Sequence, residues 1–124
     1  MAQMKLLLVD DEKEFVTTLA ERLELRGMAV RTAGDGETAL PMVSDDPPDL
    51  VVLDLMMPGI GGLETLKRIK SEHPDMPVIL LTGRGSTKEG IEGMRQGAFD
   101  YMMKPIDINQ LLSKIEEASG KPDT

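Results

Sequence analysis

Four residues of this chain could do chemistry together: Asp10, Asp11, Asp54 and Lys104. Each lies just past the end of an apolar run. Lys5–Val9 leads into Asp10-Asp11, Asp49–Leu53 into Asp54, and Ala98–Met103 into Lys104-Pro105. If the runs are buried parallel strands, their carboxyl ends gather on one edge of a sheet, where open α/β folds bind their ligands. Carboxylates brought that close repel one another, and either a proton or a cation must relieve them. A hard divalent ion held by oxygen, with Lys104 facing whatever anion joins it, resolves the conflict. The pattern describes a metal-assisted phosphate site.

The elements that must position these residues follow from periodicity. Leu6-Leu7-Leu8-Val9 is apolar without alternation, as in a strand buried on both faces. Phe15, Val16, Leu19 and Leu23 recur at helical spacing, with Gly27 as the stop. Met28–Ala33 predicts a second strand, at an edge because it carries Arg31. Asp35 predicts the cap of a helix over 36–45, with Pro41 inside it as a kink of no evident function. Leu50-Val51-Val52-Leu53 is the third strand. Pro58-Gly59 and Gly61-Gly62 form a loop before a helix bearing Leu63, Leu66 and Ile69, which ends at His73-Pro74. Val78–Leu81 is the fourth strand, stopping at Thr82-Gly83. A weaker helix follows over 87–96, with Gly90 and Gly93 inside it, then a strand over 99–103. Asp107 caps a last helix with Ile108, Leu111, Leu112 and Ile115 facing inward. This (βα)5 alternation predicts a doubly wound parallel five-stranded sheet, and right-handed crossovers favour the flavodoxin-like order 2-1-3-4-5. Strands one and three are then neighbours where the winding reverses, which places Asp10, Asp11 and Asp54 in one crevice.

At 124 residues, 40% hydrophobic and 29% charged, the chain has the size and composition of one globular domain. We expect the domain over 1–119 and a disordered tail over 120–124. There are no cysteines, which removes disulfides and thiolate metal sites. The first residues lack the apolar core of a signal peptide and no run reaches the length of a membrane span, so a cytoplasmic location is the expectation. A net charge of −8 argues against direct contact with nucleic acid.

Val-Asp-Asp at 9–11, Leu-Asp-Leu-Met-Met-Pro-Gly at 53–59, Leu-Thr-Gly at 81–83 and Phe-Asp-Tyr-Met-Met-Lys-Pro at 99–105 resemble the receiver domain of two-component response regulators. The resemblance covers roughly residues 4–118, with four motifs in order, each at a strand end. It implies that Asp54 accepts a phosphoryl group with Mg²⁺, for which Mn²⁺ can substitute. Asp11 would bind the metal directly, Asp10 through water, and the Met56 carbonyl would complete the protein ligands alongside Asp54. Lys104 would pair with Asp54 before phosphorylation and with the phosphoryl group afterwards, aimed by a cis Lys104–Pro105 bond. Thr82 would offer its hydroxyl to a phosphoryl oxygen while Tyr101 turns inward, a coupled switch. Asp11 is also expected to cap the first helix.

The resemblance implies a histidine kinase or histidine phosphotransfer domain as donor. A target protein would read the face made by the fourth helix, fifth strand and fifth helix, with the chain a monomer or a phosphorylation-dependent dimer. Met56, two residues past the acceptor, cannot orient an attacking water, so loss of phosphate should be slow. Arg84 could cover or pair with the phosphoryl group. The chain would act as a switch that modifies only itself, not as an enzyme on external substrate. An aspartyl-phosphate phosphatase of the haloacid dehalogenase type is the alternative, but needs a second aspartate where Met56 stands. A nucleotide or flavin carrier fails for want of a glycine loop after the first strand, where Asp10-Asp11-Glu12 would repel phosphate. His73, far in the chain from every motif, is expected to be an ordinary exposed residue.

Overall fold

The computed structural model describes residues 3–83 and 87–120. Five strands alternate with five helices: β1 (Lys5–Val9), α1 (Lys13–Glu24), β2 (Ala29–Ala33), α2 (Gly36–Asp45), β3 (Leu50–Asp54), α3 (Gly61–Glu72), β4 (Val78–Thr82), α4 (Thr87–Arg95), β5 (Asp100–Met103) and α5 (Ile108–Ser119). All strands are parallel, in the order β2-β1-β3-β4-β5, so the predicted topology is the one observed. β2 is at an edge, consistent with its charged Arg31.

Successive strand residues face opposite sides, and both sides are covered. Leu7, Val9, Val51, Leu53, Val78 and Leu80 pack with Ala39, Val43, Leu66 and Ile69 of α2 and α3. Leu6, Leu8, Leu50, Val52, Ile79 and Leu81 pack with Val16, Leu19, Leu23, Leu111 and Ile115 of α1 and α5. Burial on two sides is why these strands appear in the sequence as unbroken apolar runs.

The strand register is what gathers the chemistry. Val9 pairs with Leu53, so the residues that follow them, Asp10 and Asp54, stand level across the β1–β3 seam. Asp54 pairs with Leu81 and Thr82 with Met103, which brings Thr82 and Lys104 to the same edge. Asp54 is the last residue of β3 rather than the first beyond it. Its backbone stays in the ladder because the Leu55 N–H donates to the Leu81 carbonyl.

Two predicted caps form. Asp35 accepts from the Thr38 N–H at 2.7 Å, and Asp107 from the N–H groups of Asn109 and Gln110 at 2.8 and 3.3 Å. The Asp11 cap does not form. Glu12 occupies the N-cap of α1 without a side-chain bond, and Asp10 Oδ1 instead accepts from the Glu12 N–H at 2.9 Å. α2 continues across Pro41 to Asp45, with the proline on its exposed side. His73 ends α3 and is half-buried. Its Nε2 lies 3.5 Å from the Ser44 hydroxyl near the end of α2.

Gly61 and Gly62 belong to the first turn of α3 rather than to the loop. Gly62 is required by space: a Cβ there would lie 2.5 Å from both the Asp54 carbonyl oxygen and Leu55 Cα. Gly90 and Gly93 of α4, expected as weak points, are the buried residues of that helix. A Cβ on Gly93 would run into Leu80 Cδ1, while one on Gly90 would sit 3.5 Å from the Tyr101 ring and 3.6 Å from Thr82 Cγ2. Gly93 lets α4 lie close on β4, while a Cβ at Gly90 would make only ordinary contact with Tyr101 and Thr82. Arg84 lies outside the described residues, as do residues 121–124 of the predicted tail.

Candidate functional site

The crevice sits at the carboxyl ends of β1, β3 and β5. Asp10 and Asp54 are 4% and 3% exposed, unusual burial for two carboxylates with so little between them. Asp54 Oδ1 accepts from the Met56 N–H at 3.2 Å, an Asx-type turn that fixes the carboxyl at the strand end. Burial, then the neighbouring charge of Asp10, push the Asp54 pKa up to about 6, against the opposing effects of the Met56 N–H and Lys104. Asp11 adds a smaller push in the same direction.

Lys104 reaches into the crevice from the far strand. Its N–H is tied to the Thr82 carbonyl at 2.8 Å, and the Lys104–Pro105 bond is cis, as predicted. Its ammonium lies 2.6 Å from Glu12 Oε1, 2.7 Å from Asp10 Oδ2 and 3.6 Å from Asp54 Oδ2, and 4.4 Å above the Phe15 ring. The expected Lys104–Asp54 pair is therefore present but is the longest of the three. Burial disfavours the ammonium, yet its hydrogen bonds and charge contacts with Asp10, Glu12 and Asp54 win and raise its pKa. The contact with Asp10 Oδ2 is a short ion pair to a buried oxygen.

Thr82 is 2% exposed and closes the crevice floor. Its hydroxyl donates to the Met102 carbonyl at 3.3 Å, a long bond that is easily exchanged for another acceptor. Tyr101, one strand over, is half-buried against the α2–α4 side of the core. Gly90 borders both residues.

Among the described residues, one group of carboxylates lies close enough together to hold a metal ion. Carboxylate oxygens of Asp10, Glu12 and Asp54 lie within 4.8 Å of one another, whereas Asp11 is exposed and outside that group. Carboxylate oxygens alone, one of them buried without a hydrogen bond, suit a hard divalent ion such as Mg²⁺. Glu12 is the residue the sequence reasoning missed. Its signal was the i, i+3 spacing to Phe15, which places both on the turn of α1 that faces Lys104.

Comparison with known proteins decides the family. The response regulator receiver domain profile matches residues 6–116. The chain belongs to that family. It is 41% identical over 122 residues to the response regulator MprA of Mycobacterium leprae, covering 97% of this chain and 54% of that protein. It is 45% identical over 111 residues to the transcriptional regulatory protein CpxR of Escherichia coli, covering 90% of this chain and 47% of that one. The chain thus spans about half the length of these relatives. The crystal structure of the receiver domain of NtrX from Brucella abortus superposes with a TM-score of 0.89 at 34% identity, covering 94% of this chain and 99% of that one. As a receiver domain of two-component systems, this chain carries Asp10, Asp11, Asp54, Thr82 and Lys104 of those motifs at its strand ends.

Proposed function

We propose that this receiver domain is a phosphorylation-dependent switch that takes a phosphoryl group onto Asp54 from a histidine kinase or histidine phosphotransfer domain. The observation that carries the reading is a buried Asp54 carboxylate level with Asp10 and 3.6 Å from the Lys104 ammonium. An Asp54 oxygen attacks phosphorus in line. The bond from phosphorus to the donor nitrogen or oxygen breaks, and the electron pair leaves with the donor. Lys104 meets the negative charge gathering on the phosphoryl oxygens. Thr82 turns its hydroxyl from the Met102 carbonyl to one of those oxygens. Asp10, Asp11, Asp54 and the Met56 carbonyl would hold Mg²⁺, or Mn²⁺ in its place, which would supply the remaining charge neutralisation.

Movement of Thr82 opens space beside Gly90 for Tyr101, so the face built by α4, β5 and α5 changes with phosphorylation. That face exposes Ile91, Met94, Phe99 and Met103, at 47%, 38%, 40% and 54%, an apolar patch suited to a target protein. The switch turns over no external substrate, operates in the cytoplasm, and exists as a monomer or a phosphorylation-dependent dimer. A net charge of −8 argues against nucleic acid among its own contacts. The phosphatase alternative lacks its second aspartate, since Met56 stands there, 58% exposed.

Incubation with Mg²⁺ and acetyl phosphate, followed by mass spectrometry, is expected to show one phosphoryl adduct mapping to Asp54 and absent from Asp54→Asn. No adduct, or an adduct elsewhere, overturns the proposal. After donor removal the adduct should decay slowly, and faster in Met56→Asn, where a carboxamide can orient water. Equal decay rates would count against that role for position 56.

A further inference from the structure

Lys104 does not rest where phosphoryl chemistry needs it. Its ammonium is 2.6 Å from Glu12 but 3.6 Å from Asp54, and it lies over the Phe15 ring. Glu12 and Phe15 share one turn of α1, so two side chains of that helix grip the lysine from the same side. Asp10, the third partner, sits between the two sites. At 2.7 Å its buried Oδ2 shares the ammonium with Glu12 at 2.6 Å, so Glu12 sets the side of the crevice to which the lysine leans.

We propose that Glu12 is a positioning residue that draws the Lys104 ammonium to the α1 side of the crevice and must release it before the lysine can meet a phosphoryl group on Asp54. This rests on the reading of Asp54 as acceptor. The Glu12 side chain is 62% exposed and that of Lys104 16%. The latch therefore has one wet partner, and solvent screening keeps it weak enough to open. The arriving phosphoryl group offers two or more charge-assisted acceptors against the single exposed carboxylate. The exchange of partners has a direction: the lysine moves toward the sheet edge, and Glu12 is freed on the surface of α1. Glu12 is not a catalytic residue in this scheme, since it touches only the lysine.

The test compares wild type, Glu12→Gln, Glu12→Asp and Glu14→Gln. Glu14 carries the same charge on the same helix and is exposed. Asp54 labelling by acetyl phosphate is timed at saturating Mg²⁺, and the midpoints for beryllofluoride and for Mg²⁺ are read separately from amide shifts. With the latch removed, labelling of Glu12→Gln should be about two- to fivefold faster, the range expected for one ion pair with an exposed partner. Its beryllofluoride midpoint should fall by a similar factor and its Mg²⁺ midpoint should hold. Glu12→Asp, with the charge on a shorter arm, should fall between, and Glu14→Gln should match wild type. Equal labelling of wild type and Glu12→Gln overturns the inference. So does an equal gain in Glu14→Gln, which would reduce the effect to net charge, and so does a weakened Mg²⁺ midpoint, which would make Glu12 a metal ligand. Failure of wild type itself to label at Asp54 is a separate result that removes the acceptor reading and this inference with it.

Discussion

Asp54→Asn should stabilise the metal-free protein near pH 7.5 by about 1–3 kcal/mol, and the gain should vanish as the pH falls toward about 4. The Asp54 carboxyl is raised from 3.8 to about 6 by burial and by Asp10. A carboxyl with a higher pKa folded than unfolded binds more protons in the folded state between those two values. Stability is then greatest below the unfolded pKa and is lost as the pH rises through the folded one. The full difference corresponds to about 3 kcal/mol, and water reaching the crevice lowers it toward 1. Asparagine carries no charge at any pH, so it escapes the loss. Its carbonyl keeps the bond from the Met56 N–H, and Lys104 keeps Asp10 and Glu12. Urea unfolding in the presence of a chelator at several pH values measures this. A gain that does not change with pH, or a lower midpoint near pH 7.5, would show that Asp54 is not held against its own ionisation. The substitution couples a more stable fold with loss of the proposed acceptor, as expected where a site is assembled at a cost to the fold.

The strand ends and the order of the sheet were legible in the sequence because burial on both faces leaves unbroken apolar runs, and because few topologies satisfy right-handed crossovers. Caps at Asp35 and Asp107 were legible for a local reason, a short acceptor placed beside free N–H groups. Which of the three adjacent carboxylates at residues 10–12 approaches Lys104 was not legible, since they differ only in the phase with which the chain enters α1. That phase is set by Phe15, Val16 and Leu19 finding the core, and it turns Glu12 toward Lys104 and Asp11 to solvent. The packing around the α4 glycines was not legible for a related reason. Helix propensity scores Gly90 and Gly93 as weaknesses, while their role depends on Leu80 and Tyr101, which lie on other elements. Contacts between distant segments are the part that periodicity does not contain.

Gly62 is the position where that limit has the largest consequence. The first turn of α3 passes over the end of β3, with the Gly62 N–H donating to the Leu55 carbonyl at 3.2 Å. A methyl group at Gly62 would meet the Asp54 carbonyl oxygen and Leu55 Cα at 2.5 Å. Both are backbone atoms, and the strand that carries them is fully buried, so no flexible side chain can move aside. Overpacking of this kind costs about 1–3 kcal/mol or more, offset by about 1 kcal/mol of helix propensity for alanine. Gly62→Ala should therefore lose roughly 2 kcal/mol of stability, read as a lower urea midpoint. Relief of the clash must also shift either α3 or Asp54, the proposed acceptor. A displacement of about 1 Å at a reacting atom can cost on the order of a hundredfold in rate, so Asp54 labelling at saturating Mg²⁺ should fall at least tenfold at temperatures where the variant remains folded. Wild-type stability and labelling in Gly62→Ala would mean that the helix start yields without moving the strand. The close approach would then not be what fixes Asp54 at the edge of the sheet.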